Sequence, residues 1–263
     1  MTEHLTSGQL LRDINNGFNK LQSNPCGLCK QNEDKVYNDG AMIHFHGSDW
    51  GKCRRMIQYN IMFPEKISSD KDKFFFDGHL HEESIIRALR SMGYFIDFTY
   101  DQINEKINNV PGSLLFNNIP LNFNIASYAH QDKFVNIQTV VHPDGIITHN
   151  KEKVLIECKA VKNYSFPKYK EGFIPPTYFG QMQAYLHVFK LERGFLIVKN
   201  RDTSDISPPL LVKADPEFVK KKIIELTGII KGLLEDKLIK RPYDNNKNFE
   251  CKYCTYKERC WRW

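Results

Sequence analysis

One short hairpin constrains this chain more than any other feature of its sequence. Two apolar runs, residues 145–148 and 153–156, are joined by Asn150-Lys151 at the turn. With a two-residue turn at that point, Asp144 lies directly opposite Glu157, and both side chains share one face of the sheet. Lys159 follows Glu157 by two residues, so it returns to the same face, opposite His142. Because like charges that face each other destabilise a sheet, the two carboxylates indicate a bound cation.

The chemistry of these side chains fits a divalent metal beside a phosphate. Carboxylate oxygens are hard ligands that suit Mg²⁺ or Mn²⁺, and such a metal can lower the pKa of a bound water. Lys159 can offset negative charge that develops on a phosphate. The alternative is a charge pair on a solvated face, since Glu-x-Lys tripeptides are common by chance. The position at the end of an apolar strand, with Asp144 opposite, favours the metal site.

The composition predicts a globular protein without a membrane span. The 263 residues are 41% hydrophobic and 26% charged, and no run of 18 apolar residues occurs. The first residues, Met1 to His4, lack the basic and apolar segments of a signal peptide, so we expect an intracellular, cytoplasmic protein. The formal net charge of +6 is compatible with a polyanionic partner but does not establish one. In a reducing compartment, the seven cysteines are expected to be ligands or core residues.

Apolar periodicity predicts an α/β fold with a mixed central sheet flanked by helices. Residues 101–136 are rich in Asn with interspersed Pro and Gly, and they predict a loop, either an insertion or a lid. One helix is predicted to start at Asp77, with His81, Ile85, Ala88, Leu89 and Met92 on its apolar stripe, so that His81 points inward. The further elements predicted are strands at 94–98, 194–198 and 210–212, and helices at 7–22, 177–189 and from Asp215 onward.

A second constellation lies on the helix predicted at residues 177–189. Gln181 and Tyr185 are four residues apart, so they are neighbours on one helical face. The ordinary interpretation of each is a solvated glutamine and a core tyrosine. Likewise, a single inward histidine such as His81 is more often a core residue than a ligand.

Taken in order, four motifs resemble those of RecB-type nucleases of the PD-(D/E)XK superfamily. They are Gly78-His79-Leu80-His81-Glu82, Asp144, Glu157-Cys158-Lys159 and Gln181-Met182-Gln183-Ala184-Tyr185. The resemblance implies a restriction-endonuclease-like core and a catalytic lysine at Lys159. It implies that Gln181 and Tyr185 order the site and the DNA backbone. It also implies an Mg²⁺ or Mn²⁺ site made by His81, Asp144, Glu157 and the Cys158 carbonyl oxygen. His79 competes for the histidine role, although helical phase favours His81.

The function implied is a metal-dependent DNA exonuclease acting on linear or single-stranded DNA. One alternative is an endonuclease on the same fold, and another is a non-catalytic zinc or iron–sulfur protein that binds nucleic acid. Lysines and aromatic residues alternate after the hairpin, a pattern that suits a single strand, although solvated lysines are the simpler interpretation for most of them. Tyr178 and Arg201 are the candidate DNA-binding residues. The Lys- and Asn-rich composition suits a phage-encoded protein or one from a host of low GC content.

The cysteines near the end of the sequence indicate a metal cluster. Cys251, Cys254 and Cys260 supply three soft ligands within ten residues, which suits Zn²⁺ or an iron–sulfur cluster, and a fourth ligand is required. Iron–sulfur relatives in the resembled family, including CRISPR-associated exonucleases and helicase-linked nucleases, use one cysteine before the nuclease motifs and three after them. Cys53 occupies that earlier place, which implies a [4Fe–4S] cluster that joins the two ends. Cys26 or Cys29 could compete with Cys53.

Cys26 and Cys29, followed by His44 and His46, also form a candidate zinc site. The spacing differs from a standard zinc finger, so unliganded residues are an equal alternative. The expected organisation is therefore a single nuclease domain over residues 1–263, with a catalytic core at 78–200. Within this domain, the iron–sulfur cluster is expected to join residues 53 and 251–260. A small zinc-binding segment is expected at 23–47.

Overall fold

A computed structural model of the chain describes most of the residues that carry these motifs. The residues described are 41–63, 78, 80–82, 84–89, 91–94, 121–130, 133–149 and 152–262. They form mixed sheets flanked by helices, so the predicted α/β class is confirmed. The helix predicted at 7–22 lies outside the described residues, as do Cys26, Cys29, His79 and nearly all of the strand predicted at 94–98.

The predicted hairpin forms part of a four-stranded sheet. Its strands are β4 (Gly145–His149), β5 (Glu152–Val161), β6 (Arg193–Asn200) and β7 (Leu210–Lys213), in the order β4-β5-β6-β7. Ile147 pairs with Val154 and His149 with Glu152, so the expected register is confirmed. β5 and β6 run parallel, whereas the two outer pairs are antiparallel.

A second, three-stranded sheet corrects the sequence analysis. It consists of β1 (Ala41–His46), β2 (Leu121–His130) and β3 (Lys133–Val141), in the order β1-β3-β2. The prediction of a loop over residues 101–136 is therefore wrong for β2 and the start of β3. Val135, Ile137 and Val141 alternate toward the core, while Gln138 Nε2 donates to Asn124 Oδ1 at 2.7 Å on the other face. Asparagine here belongs to the polar face of a strand rather than to a turn.

Helices cover the sheets and connect the strands. After β1 come a 3₁₀ turn, Gly47–Asp49, and α1, Arg54–Met62. A second 3₁₀ turn, Asn163–Ser165, and the short α2, Pro167–Lys170, follow β5. The remaining helices are α3 (Pro176–Phe189), α4 (Pro216–Leu234), α5 (Phe249–Lys252) and α6 (Lys257–Trp261). α4 begins as predicted, because the Asp215 side chain accepts a hydrogen bond from Phe218 N at 2.9 Å. No helix within the described ranges is long and apolar enough to cross a lipid bilayer.

One hydrophobic core draws on both sheets, α3 and α4. α3 approaches the turn after β1 through two glycines: a Cβ added at Gly180 would lie 2.4 Å from the backbone nitrogen of Gly51. The buried Trp50 beside them donates a hydrogen bond to Thr139 Oγ1 at 3.1 Å and so ties the turn to β3. This contact fixes α3, which carries the Gln181 and Tyr185 motif, relative to the sheets.

The described residues between 78 and 91 are helical and cover the opposite face of the four-stranded sheet. Ile85 and Ile86 are buried, and Leu89 packs against the core that they form with β4, β5 and β6. The predicted stripe is wrong in part: Ala88 is exposed, and 77% of Met92 is exposed. The buried face is therefore centred on positions 82, 85, 86 and 89.

Candidate active site

The hairpin brings Asp144 and Glu157 to the same place. Asp144 directly precedes β4, and its Oδ2 accepts a hydrogen bond of 2.7 Å from the backbone nitrogen of Cys158 on β5. Glu157, the next residue back along β5, is completely buried. The acids therefore meet near the carboxyl end of β5, beside the parallel strand β6, where ligands commonly bind in α/β sheets.

Lys159 pairs with only one of the two carboxylate oxygens of Glu157. Its Nζ lies 2.5 Å from Glu157 Oε1. The other carboxylate oxygen, Glu157 Oε2, is buried and has no hydrogen-bond partner within the described part of the chain. A buried charged oxygen without a partner is costly, so this atom is suited to a cation.

The electrostatics show an excess of negative charge. Desolvation raises the pKa of Asp144 well above its usual range, and the carboxylates of Glu157 and Glu82 add to the rise. Desolvation also raises the pKa of Glu157, although Lys159 partly opposes it. Burial alone would lower the pKa of Lys159, but the surrounding carboxylates outweigh it and raise that pKa well above normal. One lysine does not compensate these acids, as expected of a site that takes up a divalent cation.

Glu82 is a member of the site that the sequence analysis missed. Its Oε1 lies 4.0 Å from Lys159 Nζ. Glu82 precedes the buried Ile85 and Ile86 by three and four residues, so helical phase alone could have identified it as facing the sheet. His81 is partly buried at the border of the same face, since it lies four residues before Ile85 but seven before the exposed Ala88.

Gln181 and Tyr185 are neighbours on α3, as predicted. Gln181 Nε2 donates a hydrogen bond of 2.8 Å to the Tyr185 hydroxyl. Tyr185 is 3% exposed, and its burial, reinforced by the charge of Glu157, raises the pKa of its hydroxyl. A Cβ at Gly47 would lie 2.4 Å from Tyr185 Cε1, so this glycine leaves room for the ring. The pair thus borders the acidic group from the α3 side.

Of the two candidate DNA-binding residues, Tyr178 lies near Lys159 and Arg201 lies beside Val161, at the end of β5. The Tyr178 ring centroid is 5.8 Å from Lys159 Nζ. Arg201 follows β6, and its backbone nitrogen donates to Val161 O at 2.9 Å. Its guanidinium faces Gly78, where an added Cβ would lie 3.4 Å from Arg201 Nη2. Tyr178, Arg201 and Gly78 therefore all lie near the carboxyl end of β5.

The candidate zinc residues are only partly described. His44 and His46 occupy alternate positions of β1, on one face of that strand. The His46 ring lies 6.3 Å from that of His142, between centroids, which places it near the hairpin. Because Cys26 and Cys29 lie outside the described residues, the zinc site stays a prediction.

Four of the cysteines gather where the two ends of the described chain meet. Cys53, Cys251, Cys254 and Cys260 form no disulfide, and Cys53 directly precedes α1. Burial raises the pKa of the Cys53 thiol, and charge on Glu250 and Cys254 adds to the rise. Burial likewise raises the pKa of Cys254, reinforced by Cys251 and Cys260. A metal that binds thiolates would remove the protons of these thiols.

Within the described residues, neither the acids around Asp144 nor the four cysteines form a complete metal-binding geometry. Over the described ranges, no three His, Cys, Asp or Glu side chains lie in an arrangement that would hold an ion. The remaining cysteine there, Cys158, is fully buried among Ile85, Ile147, Val154 and neighbouring apolar side chains. Burial raises the pKa of the Cys158 thiol well above its usual value, and the side chain belongs to the hydrophobic core. Its backbone nitrogen donates a hydrogen bond to Asp144 Oδ2.

One solved structure shares the fold, and a second aligns more weakly. The crystal structure of SSO0001 superimposes with a TM-score of 0.50 at 15% identity, covering 93% of this chain and 95% of that one. The alkaline exonuclease LHK-Exo from Laribacter hongkongensis aligns with a TM-score of 0.34 at 15% identity, over 72% of this chain and 91% of that one. No profile of a known protein family matches the chain, and no curated protein matches it in sequence. The chain thus shares its fold with SSO0001 over nearly the full length of both.

Proposed function

We propose that this protein is a metal-dependent deoxyribonuclease of the RecB-like PD-(D/E)XK type, and that it acts as an exonuclease on DNA with a single-stranded portion. The observation that carries the proposal is the buried Glu157 carboxylate. One oxygen binds Lys159 and the other has no partner in the described part of the chain, while Asp144 lies alongside. A site of this kind is suited to a hard divalent cation and a phosphate.

The residues divide the work of phosphodiester hydrolysis. Asp144, Glu157, His81 and the Cys158 carbonyl oxygen would hold Mg²⁺ or Mn²⁺, which supplies an activated water and stabilises charge on the phosphate. The Lys159 ammonium, kept protonated by the surrounding carboxylates, offsets negative charge on the phosphate. Gln181 and Tyr185 border the site and orient the substrate backbone. Glu82 lies close enough to Lys159 to help position it.

The test is cleavage of end-labelled linear DNA with and without Mn²⁺. Wild type should cleave only with the metal, and Asp144→Ala and Lys159→Ala should each lower the rate by at least about 100-fold. Glu217→Ala is the matched control, because Glu217 is an exposed acid on α4. His81→Ala and Glu82→Ala then separate the neighbours: a weaker apparent Mn²⁺ affinity marks the ligand. Unchanged cleavage by Asp144→Ala would refute the proposal.

Two alternatives give different results in the same assay. An endonuclease on this fold would also cut closed-circular DNA, which an exonuclease leaves intact. A non-catalytic zinc or iron–sulfur protein would bind nucleic acid without cutting it. In that case Glu157→Ala and Lys159→Ala would behave as wild type, while Cys→Ser changes would abolish binding.

We further propose that Cys53, Cys251, Cys254 and Cys260 hold a [4Fe–4S] cluster. The support is that Cys254 lies close enough to influence Cys53, that Cys251 and Cys260 lie close enough to influence Cys254, and that α1 meets the C-terminal segment at this point. The cluster is assigned a structural role. A zinc ion on Cys26, Cys29, His44 and His46 is a separate proposal, tested by metal analysis of the purified protein and of its Cys26→Ser variant.

A further inference from the structure

A surface of exposed aromatic rings begins directly after the strand that carries Lys159. Residues 162–173 leave the carboxyl end of β5 and contain three lysines and one acid, Glu171. Tyr164 is 85% exposed and Phe173 is 47% exposed. Large aromatic side chains are usually buried, so two exposed rings on one twelve-residue segment indicate a surface that meets a partner.

The backbone beneath these rings is firmly attached to the fold. Phe166 and Tyr169 are 2% and 3% exposed, and they anchor the segment in the main core. Asn163 N donates to Asp202 Oδ2 at 2.8 Å, and Asn200 Nδ2 donates to Asn163 Oδ1 at 2.9 Å. Tyr164, next to Asn163, is therefore displayed from a fixed position, which lowers the entropy lost when a ligand binds.

Lys168 and Phe173 form a paired cation and ring on the same segment. Lys168 Nζ lies 5.2 Å from the centroid of the Phe173 ring and 5.2 Å from that of Tyr169. The chain turns back through Gly172 at φ +89°, which allows Phe173 N to donate to Lys168 O at 3.0 Å. Lys168 has no carboxylate partner within the described ranges, so its charge is available to an anion.

Direct contacts connect this surface to the candidate active site. The Tyr169 ring stacks on that of Tyr178 with 6.4 Å between centroids, and Tyr178 lies 5.8 Å from Lys159 Nζ. A chain bound across Lys168 would therefore pass close to the site where its backbone is cut.

Resting on the proposed deoxyribonuclease function, we propose that Tyr164, Lys168 and Phe173 form an aromatic platform that binds single-stranded DNA. The rings stack on bases, and Lys168, which lies beside Phe173, attracts phosphates. Only a single strand presents free base faces, because those of a duplex are already stacked on each other. The platform thus makes the protein prefer a single-stranded substrate or end, and the preference is independent of base sequence, since every base has a flat face.

The test measures binding rather than cleavage. Fluorescence anisotropy with a labelled single-stranded oligonucleotide and its duplex is carried out in EDTA, so that neither DNA is cut. Tyr164→Ala and Phe173→Ala should each weaken single-strand binding about tenfold and leave duplex binding unchanged. Tyr164→Phe should bind as wild type, because it keeps the ring. Lys168→Gln should reduce the slope of log affinity against log salt by about 0.7.

Ile224→Ala is the matched control, because Ile224 is a 64% exposed apolar residue on α4 and should have no effect. Equal loss of single-strand and duplex binding would overturn the platform, as would unchanged binding by both ring variants. The latter result would indicate a protein partner for the exposed rings. Because wild-type cleavage with Mn²⁺ is measured separately, failure of the platform and failure of the nuclease proposal are distinguishable.

Discussion

Asp144 should make the metal-free protein less stable as the pH rises. Its pKa in the fold is raised well above the ordinary value of 3.8, so the folded protein binds more protons than the unfolded chain between the two values. Stability contributed by protonated Asp144 is therefore full below about pH 3.8 and is lost as the pH rises through the raised pKa. Asp144→Asn removes this loss and keeps an oxygen that can accept from Cys158 N.

We expect the free energy of unfolding of Asp144→Asn to exceed that of wild type at pH 7 in EDTA. The difference should shrink toward pH 4, as measured by urea denaturation at a series of pH values. Added Mn²⁺ should stabilise wild type and leave the variant unchanged, because the proposed site would bind the ion through the folded carboxylates. A difference that is the same at every pH would contradict this account of Asp144.

The contact between Glu82 and Lys159 was not predicted from the sequence. Asp144, Glu157 and Lys159 could be placed together because a tight hairpin fixes its own register over a few residues. The contact between Glu82 and Lys159 joins residues 77 positions apart, and it depends on which side of a helix faces the sheet. The Ala88 and Met92 positions suggested one side, whereas burial of Ile85 and Ile86 selects another.

The glycine contact between α3 and the turn after β1 should be essential to the site. A Cβ at Gly180 would lie 2.4 Å from Gly51 N and 2.6 Å from Trp50 C, and backbone atoms cannot move aside cheaply. Gly180→Ala should therefore displace α3 and with it Gln181. We expect a loss of about 2 kcal/mol in the free energy of unfolding and a large loss of cleavage.

Gly228→Ala provides the matched control within another helix. The nearest atom to a Cβ at Gly228 is Ile239 Cδ1, at 3.7 Å, which is an ordinary contact. This change should be neutral or stabilise the protein by about 0.5 kcal/mol, because alanine favours the interior of α4. Equal effects of the two substitutions in thermal or urea unfolding would refute the importance of the close approach.

Strands β2 and β3 show why a strand was not predicted although part of its sequence alternates between apolar and polar residues. Residues 135–141 alternate apolar and polar, but the Asn-rich sequence before them suggested turns. A bulge between Asn124 and Ala126 shifts the alternation of β2 by one position, so the period of two is broken in the middle of the strand. The Asn and Gln side chains pair across the two strands, an outcome that depends on the neighbouring strand and not on local sequence.

The junction of the two ends of the described chain rests on more than the cysteines. Gln58 on α1 is fully buried, and it donates to Lys237 O at 2.8 Å and accepts from Ile239 N at 2.8 Å. Arg54 Nε donates to Lys240 O at 2.8 Å, and the Tyr256 hydroxyl donates to Phe63 O at 2.8 Å. The sequence predicted that Cys53 meets Cys251 only through the family resemblance, since no local pattern links residues so far apart.

These contacts should keep α1 joined to the C-terminal segment when the proposed cluster is lost. Cys53→Ser should remove the brown colour and the absorbance near about 400 nm that thiolate-bound iron gives. It should lower the unfolding temperature, because a metal clip that closes a long loop is lost. The circular dichroism of the folded state should persist, since Gln58, Arg54 and Tyr256 still join α1 to the C-terminal segment.

If Cys53→Ser keeps its absorbance while Cys26→Ser or Cys29→Ser loses it, then Cys53 is not the fourth ligand. Colourless wild type with one equivalent of zinc would reject the iron–sulfur cluster itself.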